Sequence, residues 1–501
     1  MVQVLPVATS WFFGLAVVVF PLLLAIADKA SAVVAAALLG GVVATVLRDR
    51  ALGIVLIATV FQNLIVSLAS PYVDFADFNF VRAFSFLDMV VVWVVVYLGF
   101  LAAPGLVPAP VRRMMVESTV VLAVVFLFMV YGVPKAGGNA IVYTRNIATP
   151  ILLFQIALLT SVRHRLGLGP VLVTMAVAIV FVGGFEWLAR DEFLAATNGD
   201  TFWRLNLEPL RTKGILETQF RLTGISINHP TDFFKVVLFN TALLADLDLT
   251  VLRLYGPNGH PISYGYLLAF LMLYLGASRR FILATLLAPL LIFASAKGAV
   301  IVILVVVAAF VLRALFGERL AIVGLAGLFA LYIAFTIVSG LRGGDYHVLG
   351  LMGGLYGFAG NPIGHGIGVG GNLEGTLSAD QWSAAQASGR TATAVESAVG
   401  VLLYQMGLAA FVVLGFYWRL VKRLWRLHAH TGIPHHLVAA VGTLAILVNG
   451  IFQEEALFAP LAMGLMLAFA GTALGSAHRV AAELAPEPAA APDHPPRAVP
   501  A

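Results

Sequence analysis

The chain contains no cysteine. Disulfides, thiolate metal sites and a cysteine nucleophile are therefore excluded, while the compartment is left open. Charge is scarce as well. Only 11% of the 501 residues are Asp, Glu, Lys or Arg, against roughly 25% in a soluble domain. In their place stand 60% hydrophobic residues. They form continuous runs of about 16–20 residues, each long enough to cross a hydrocarbon core of ~30 Å. Continuous rather than alternating runs predict spanning helices, not a barrel. No basic segment precedes the first run, and Asp28-Lys29 follows it where a cleavage site would need small residues, so the first helix is expected to be retained. The net charge of +5 reports orientation in such a chain and is no sign of nucleic-acid binding.

The runs fall near 11–27, 31–47, 51–69, 87–103, 115–133, 148–162, 170–187, 262–277, 281–296, 298–315, 320–339, 396–418, 436–452 and 456–475. They predict an all-α polytopic bundle of about 14 spans in one membrane domain, residues 1–480. Basic residues follow alternate spans: Arg48/Arg50, Arg112/Arg113, Arg163/Arg165, Arg279/Arg280, Arg313/Arg319 and Arg419/Lys422/Arg423/Arg426. The positive-inside rule puts these connectors and both termini in the cytoplasm. The long stretches 188–235 and 340–396 then lie outside. Residues 232–250 are fairly apolar but carry Lys235, Asn240, Asp246 and Asp248. These are costly in lipid, and the segment is expected as a re-entrant or interfacial helix. The Ala/Pro-rich tail, 481–501, is expected to be disordered.

The polar chemistry sits in the two outer stretches. The first holds Arg190, Arg204, Arg211, Lys213, Arg221 and Lys235, with His229 before Pro230. Arginine forks suit phosphate oxygens, and Pro230 can open a helix whose amides face an anion. The second carries thirteen glycines between Gly340 and Gly371, with Arg342, His347, His365, Arg390 and Glu396. The run Gly364–Gly371 has no Lys-Ser/Thr after it and no strand before it, which argues against a nucleotide loop. These glycines instead allow close approach of a ligand or of helices. Trp382, Tyr346 and Tyr356 suit either stacking on sugar rings or anchoring at the membrane interface. Glu396, at the mouth of an apolar helix, is the expected general base.

In order and spacing, several pieces resemble the O-antigen ligase and Wzy-type polysaccharide polymerase superfamily. They are Arg221-x-x-Gly with His229-Pro230, Ala296-Lys297-Gly298-Ala299, Arg342, Asn361-Pro362-Ile363-Gly364-His365-Gly366-Ile367-Gly368, Glu396-Ser397 and Gln405-Met406-Gly407-Leu408. The likeness covers about residues 215–418. It implies a GT-C-like glycosyltransferase at the outer face of the bacterial plasma membrane, with an undecaprenyl-diphosphate-linked glycan as substrate and no cofactor or metal. Chain-length regulators or export proteins would be its partners. It further implies that Arg221 and Arg342 grip the diphosphate. Lys297 stands where the family has an arginine, and Glu396 where ligases have a histidine, which favours the polymerase branch. His229, His365, Arg211, Arg390 and Trp382 are candidate substrate contacts. The alternatives are an O-antigen or protein O-glycan ligase, and a lipid-linked glycan transporter. A transporter needs polar groups along a mid-membrane path, for which Glu117, Gln155, Asn63, Asn449 and Asp88 are the candidates; no internal repeat supports it. A topology reporter inserted between residues 253 and 261 is expected to read outside the cytoplasm. A cytoplasmic signal would overturn the map.

Overall fold

Each apolar run satisfies its own backbone hydrogen bonds by coiling, the one local solution open to a single segment in lipid. The computed structural model describes residues 4–212, 235–240, 249–373 and 379–484. The first half holds α1 (Val4–Ala25), α2 (Lys29–Thr45), α3 (Ala51–Ala69), α4 (Phe78–Val81), α5 (Phe84–Ala102), α6 (Ala109–Ala136), α7 (Gly138–Arg163), α8 (Leu168–Leu188), α9 (Arg190–Thr197) and α10 (Gly199–Thr212). The second half holds α11 (Pro261–Ala277), α12 (Phe281–Ala294), α13 (Lys297–Gly343), α14 (Tyr346–Gly360), α15 (Ala379–Ser388), α16 (Ala398–Met406), α17 (Ala410–Thr431), α18 (Pro434–Asn449), α19 (Glu454–Phe458) and α20 (Leu465–Glu483). Among the described residues nine helices are long and apolar enough to cross a membrane, and α2, α11, α12 and α18 are shorter apolar helices. Large side chains such as Phe126, Leu127, Phe181 and Leu304 are exposed, a surface suited to lipid and not to water. The protein is an all-α polytopic membrane protein.

α13 is two helices. Gly317 breaks it at φ 75°, a left-handed value that glycine adopts without a Cβ penalty. The chain folds back there: a Cβ on Gly324 would lie 3.0 Å from Leu312, and Lys297 lines the same cavity as Gly340 and Gly343. The separate runs 298–315 and 320–339 thus become an antiparallel pair.

The connectors gather at two ends. At one, Asn63 donates to the Asn258 carbonyl, Ser67 to that of Thr197, Tyr143 to Glu454 and Lys135 to the His365 carbonyl. At the other sit the basic connectors, where Arg423 and Arg419 meet Glu117 at 2.7 and 3.5 Å. Arg165 meets Glu483 there at 2.9 Å. This last contact, with Arg479–Glu483, carries α20 to Glu483, past the expected boundary at 480. Residues 485–501 of the tail lie outside the described residues.

Where residues of 232–250 are described, the expected helix is corrected; 232–234 and 241–248 lie outside the described residues. Its described ends form β1 (Lys235–Val237) and β2 (Thr250–Leu252), antiparallel, with Lys235 opposite Leu252. Val236, Val237, Thr250 and Val251 are β-branched and favour extended backbone. The segment therefore enters and leaves side by side.

The loop 253–260, at the same end, is fixed by a buried carboxylate. Glu186, with no exposed surface, accepts from Arg190 at 2.8 Å and from the amides of Tyr255 and Gly256 at 2.9 and 2.8 Å. Arg190 also donates to the Arg253 carbonyl at 2.6 Å. Removing one partner of a buried pair costs about 3 kcal/mol or more. Glu186→Ala is accordingly expected to lower the thermal midpoint of the detergent-purified protein by several degrees; an unchanged midpoint would refute the clamp.

Candidate functional site

Glu396 meets His347 because glycines let two backbones touch. In α14 a Cβ on Gly350 would lie 2.8 Å from the Val395 carbonyl carbon, and one on Gly354 would lie 2.6 Å from Gly400 Cα. The Thr391 amide donates to the Leu349 carbonyl at 3.2 Å. Residues 391–400 therefore lie directly on α14, and His347, in its first turn, faces Glu396. The approach of His347 Nδ1 to Glu396 Oε2 is 3.5 Å. The two side chains do not share a hydrogen bond: His347 Nδ1 is buried without a hydrogen-bond partner.

Glu396 does not cap the helix that follows it. Ser397 does so, accepting from the Gly400 amide at 2.9 Å, while the Glu396 amide donates to Asn372 Oδ1. Glu396 has φ 60°, a left-handed conformation that costs a residue with a Cβ about 1 kcal/mol or more and concentrates at functional sites. Ser397 also donates to the Ile451 carbonyl, and Val399 to that of Gly450. These bonds bring Glu454 and Glu455 beside Glu396. Glu454 accepts from Tyr143 at 2.7 Å and from the Asn372 amide at 3.2 Å.

Three carboxyls and an imidazole thus share one low-dielectric corner. Burial, then the charges of Glu455 and Glu454, push Glu396 well above the usual carboxylate range. Burial, then the charge of Lys297, holds His347 below the ordinary imidazole range. Both shifts favour the neutral forms, so a protonated Glu396 carboxyl and an unprotonated His347 imidazole are the forms this corner stabilises. Burial raises Glu454 to about 7, against the lowering bond from Tyr143. Burial also raises Glu455, offset in part by Arg253. His347 opens onto a cavity of about 420 Å³ lined by Lys297, Asp345, Tyr332, Asn449 and Gln453 among others. Among the described residues no group of three His, Asp or Glu side chains is placed to hold a metal ion.

Of the residues expected from sequence, Glu396 and Lys297 both flank His347. Trp382 packs edge-on to Tyr346 at 6.3 Å, and Tyr346 stacks on His347 at 4.3 Å. Arg342 is exposed in the last turn of α13, one residue from the cavity-lining Gly343. Arg390 lies over the Tyr356 ring. His365 stacks on Tyr404 and its Nδ1 pairs with the Tyr404 carbonyl. Around it, a Cβ on Gly364 would lie 2.6 Å from the Gln405 carbonyl oxygen, and one on Gly366 2.8 Å from Gly132 Cα. These glycines serve close packing of the loop on helices. Arg211 lies in the last turn of α10. Arg221 and His229 lie outside the described residues.

Sequence reasoning gave no role to His347, Arg253 or the Glu454-Glu455 pair. The signal for the pair was present: two adjacent acids between two apolar runs. Asn63, Gln155, Asn449 and Glu117, candidates for a transport path, are engaged in local bonds; Asp88 is buried without a hydrogen-bond partner. No protein-family model matches the chain, and no curated protein matches it significantly.

Because Glu454 titrates near 4.5 when unfolded and about 7 when folded, its contribution to stability is full below pH 4.5. That contribution is lost as pH rises through 7. The thermal midpoint is expected to fall over this window, and Glu454→Gln to flatten the fall; a slope of opposite sign would refute the assignment.

Proposed function

We propose that the protein is a glycosyltransferase that polymerises a lipid-diphosphate-linked glycan at the outer face of a bacterial plasma membrane. The observation that carries this reading is the Glu396–His347 pair beside Lys297 and a cavity of about 420 Å³. A base of raised pKa next to a cation is what glycosyl transfer to a hydroxyl requires. Glu396 acts in its ionised form, the minor form in this buried corner, and takes the proton of the acceptor hydroxyl. The freed oxygen attacks the anomeric carbon, the carbon–oxygen bond to the diphosphate breaks, and the electron pair leaves with the diphosphate. Lys297 stabilises that developing charge, joined in this reading by Arg342 and Arg221.

The basic connectors cluster at the end of the bundle opposite this site, which supports a cytoplasmic assignment for them and for both termini. Dividing α13 at Gly317 and adding the four shorter apolar helices supports a bundle of 14 spans. The GT-C-like class and the undecaprenyl carrier rest on the motif resemblance alone.

Glu396→Gln and Lys297→Ala are each expected to abolish polymer in cells while protein levels in the membrane hold. Loss of one such electrostatic or proton-transfer partner typically lowers turnover about 100-fold or more. In Glu396→Gln cells the lipid-linked material should be single repeat units. Long lipid-linked chains would instead identify a ligase, and normal polymer from both variants would end the proposal.

A further inference from the structure

At the basic end of the bundle, a cavity of about 380 Å³ lies where α2, α5 and α7 come to their C-termini. This volume falls within the ~300–1,000 Å³ of small-molecule sites. Three basic side chains line it: Arg48, just past α2, and Arg163 and His164 at the end of α7. Among the described residues no Asp or Glu lines it. Asp49, next in sequence to Arg48, turns instead to Arg50 Nε at 3.6 Å and lines a separate cavity.

Each arginine is held by one backbone contact. Arg48 Nε donates to the Thr45 carbonyl at 2.7 Å, and Arg163 Nη2 to that of Gly99 at 3.4 Å. These bonds satisfy carbonyls left open at two helix ends. Each uses one of the five donors on its guanidinium. Neither arginine forms an ion pair among the described residues, so both keep charge and donors for an anion. His164 feels both: burial and then the charges of Arg48 and Arg163 hold it below the ordinary imidazole range, against Asp49.

The apolar lining decides which kind of anion fits. Val95, Val96 and Leu159 line the same cavity, and so does Leu106, which is 78% exposed. Leu98 and Leu101, on either side of Gly99 in the last turn of α5, are exposed too. The cavity therefore runs on into apolar surface that faces lipid. A soluble phosphate would leave that surface bare, whereas an acyl chain covers it. A zwitterionic headgroup would bring an ammonium to two guanidiniums with no carboxylate to receive it, and like charges so placed repel. Basic pockets between membrane helices suit anionic headgroups for the same reasons. We propose that this cavity binds the headgroup of an anionic glycerophospholipid, with Arg48 and Arg163 on its phosphodiester and an acyl chain along the end of α5. The bound lipid ties the ends of α2, α5 and α7 together. The site lies at the opposite end of the bundle from Glu396 and is independent of the glycan-transfer reading.

The full-length protein, delipidated in detergent, would be titrated with phosphatidylglycerol, with phosphatidylcholine of the same chains, and with glycerol phosphate. Thermal midpoint and retained lipid by native mass spectrometry are the readouts. Phosphatidylglycerol is expected to stabilise the wild type and to be retained, phosphatidylcholine much less so, and glycerol phosphate not at all at matched concentration. Arg48→Gln and Arg163→Gln should each weaken phosphatidylglycerol about tenfold, the scale of one lost hydrogen bond to a charged group. Gly99→Leu keeps both charges but fills the space, since a Cβ there already lies 3.8 Å from Arg163 Nη1. It should weaken the lipid at least as much, and it decides the matter if an arginine variant fails to fold. Arg426→Gln removes an exposed charge at the same end but outside the cavity and should change nothing. Equal responses to the two lipids, or wild-type binding by Gly99→Leu, would overturn the site. An effect of Arg426→Gln as large as that of Arg163→Gln would also overturn it, by showing diffuse attraction to a basic surface. Glycerol phosphate acting as strongly as phosphatidylglycerol would overturn the lipid assignment in favour of a soluble anion.

Discussion

One buried carboxylate governs where the polar residues of this bundle can stand. Glu186, buried in the last turn of α8, gathers a guanidinium and two backbone amides. Through them it fixes the loop 253–260 between α3, α8 and α12, where Leu64 bonds to the Pro257 carbonyl and Leu254 to that of Phe293. An unpaired buried charge is prohibitive, and an unsatisfied buried loop backbone nearly so. Each problem solves the other: the loop's amides solvate the carboxylate, and the carboxylate holds the loop. Arg253 and His260 then have fixed places, Arg253 bonded to the Ala294 carbonyl and His260 accepting from the Ser263 amide.

A second constraint, steric rather than electrostatic, sets the corner that holds Glu396 and His347. Small residues let backbones approach closely enough for side chains one turn away to meet. The spacing Gly350, Gly353, Gly354 puts residues 391–400 onto α14, and His347 and Glu396 are what that contact brings together. The abundance of glycine in this stretch thus has a packing cause here. It positions the site.

How much of this the sequence disclosed follows from how local each feature is. Apolar length is a property of one segment, so the runs mark the helices, and the hairpin at Gly317 follows from two runs separated by Gly317-Glu318-Arg319. The strand pair at 235–252 depends on a partner more than ten residues away, and periodicity in a single segment cannot reveal it. Glu396 was legible because an acid beside an apolar helix is rare. Its partner was not, since His347 reaches it only through a non-local glycine contact.

Glu396 carries the acid of the proposed site on a left-handed backbone, the conformation in which glycine is favoured. Its amide bond to Asn372 would survive loss of the side chain, and so would the Ser397 cap. Relaxing this position therefore gains conformational ease and forfeits a titratable group. Drift under selection for folding alone would move away from glutamate at 396, so its persistence in a lineage would measure selection on chemistry and not on the scaffold. That makes position 396 a gauge by which active and decaying copies of this protein can be told apart.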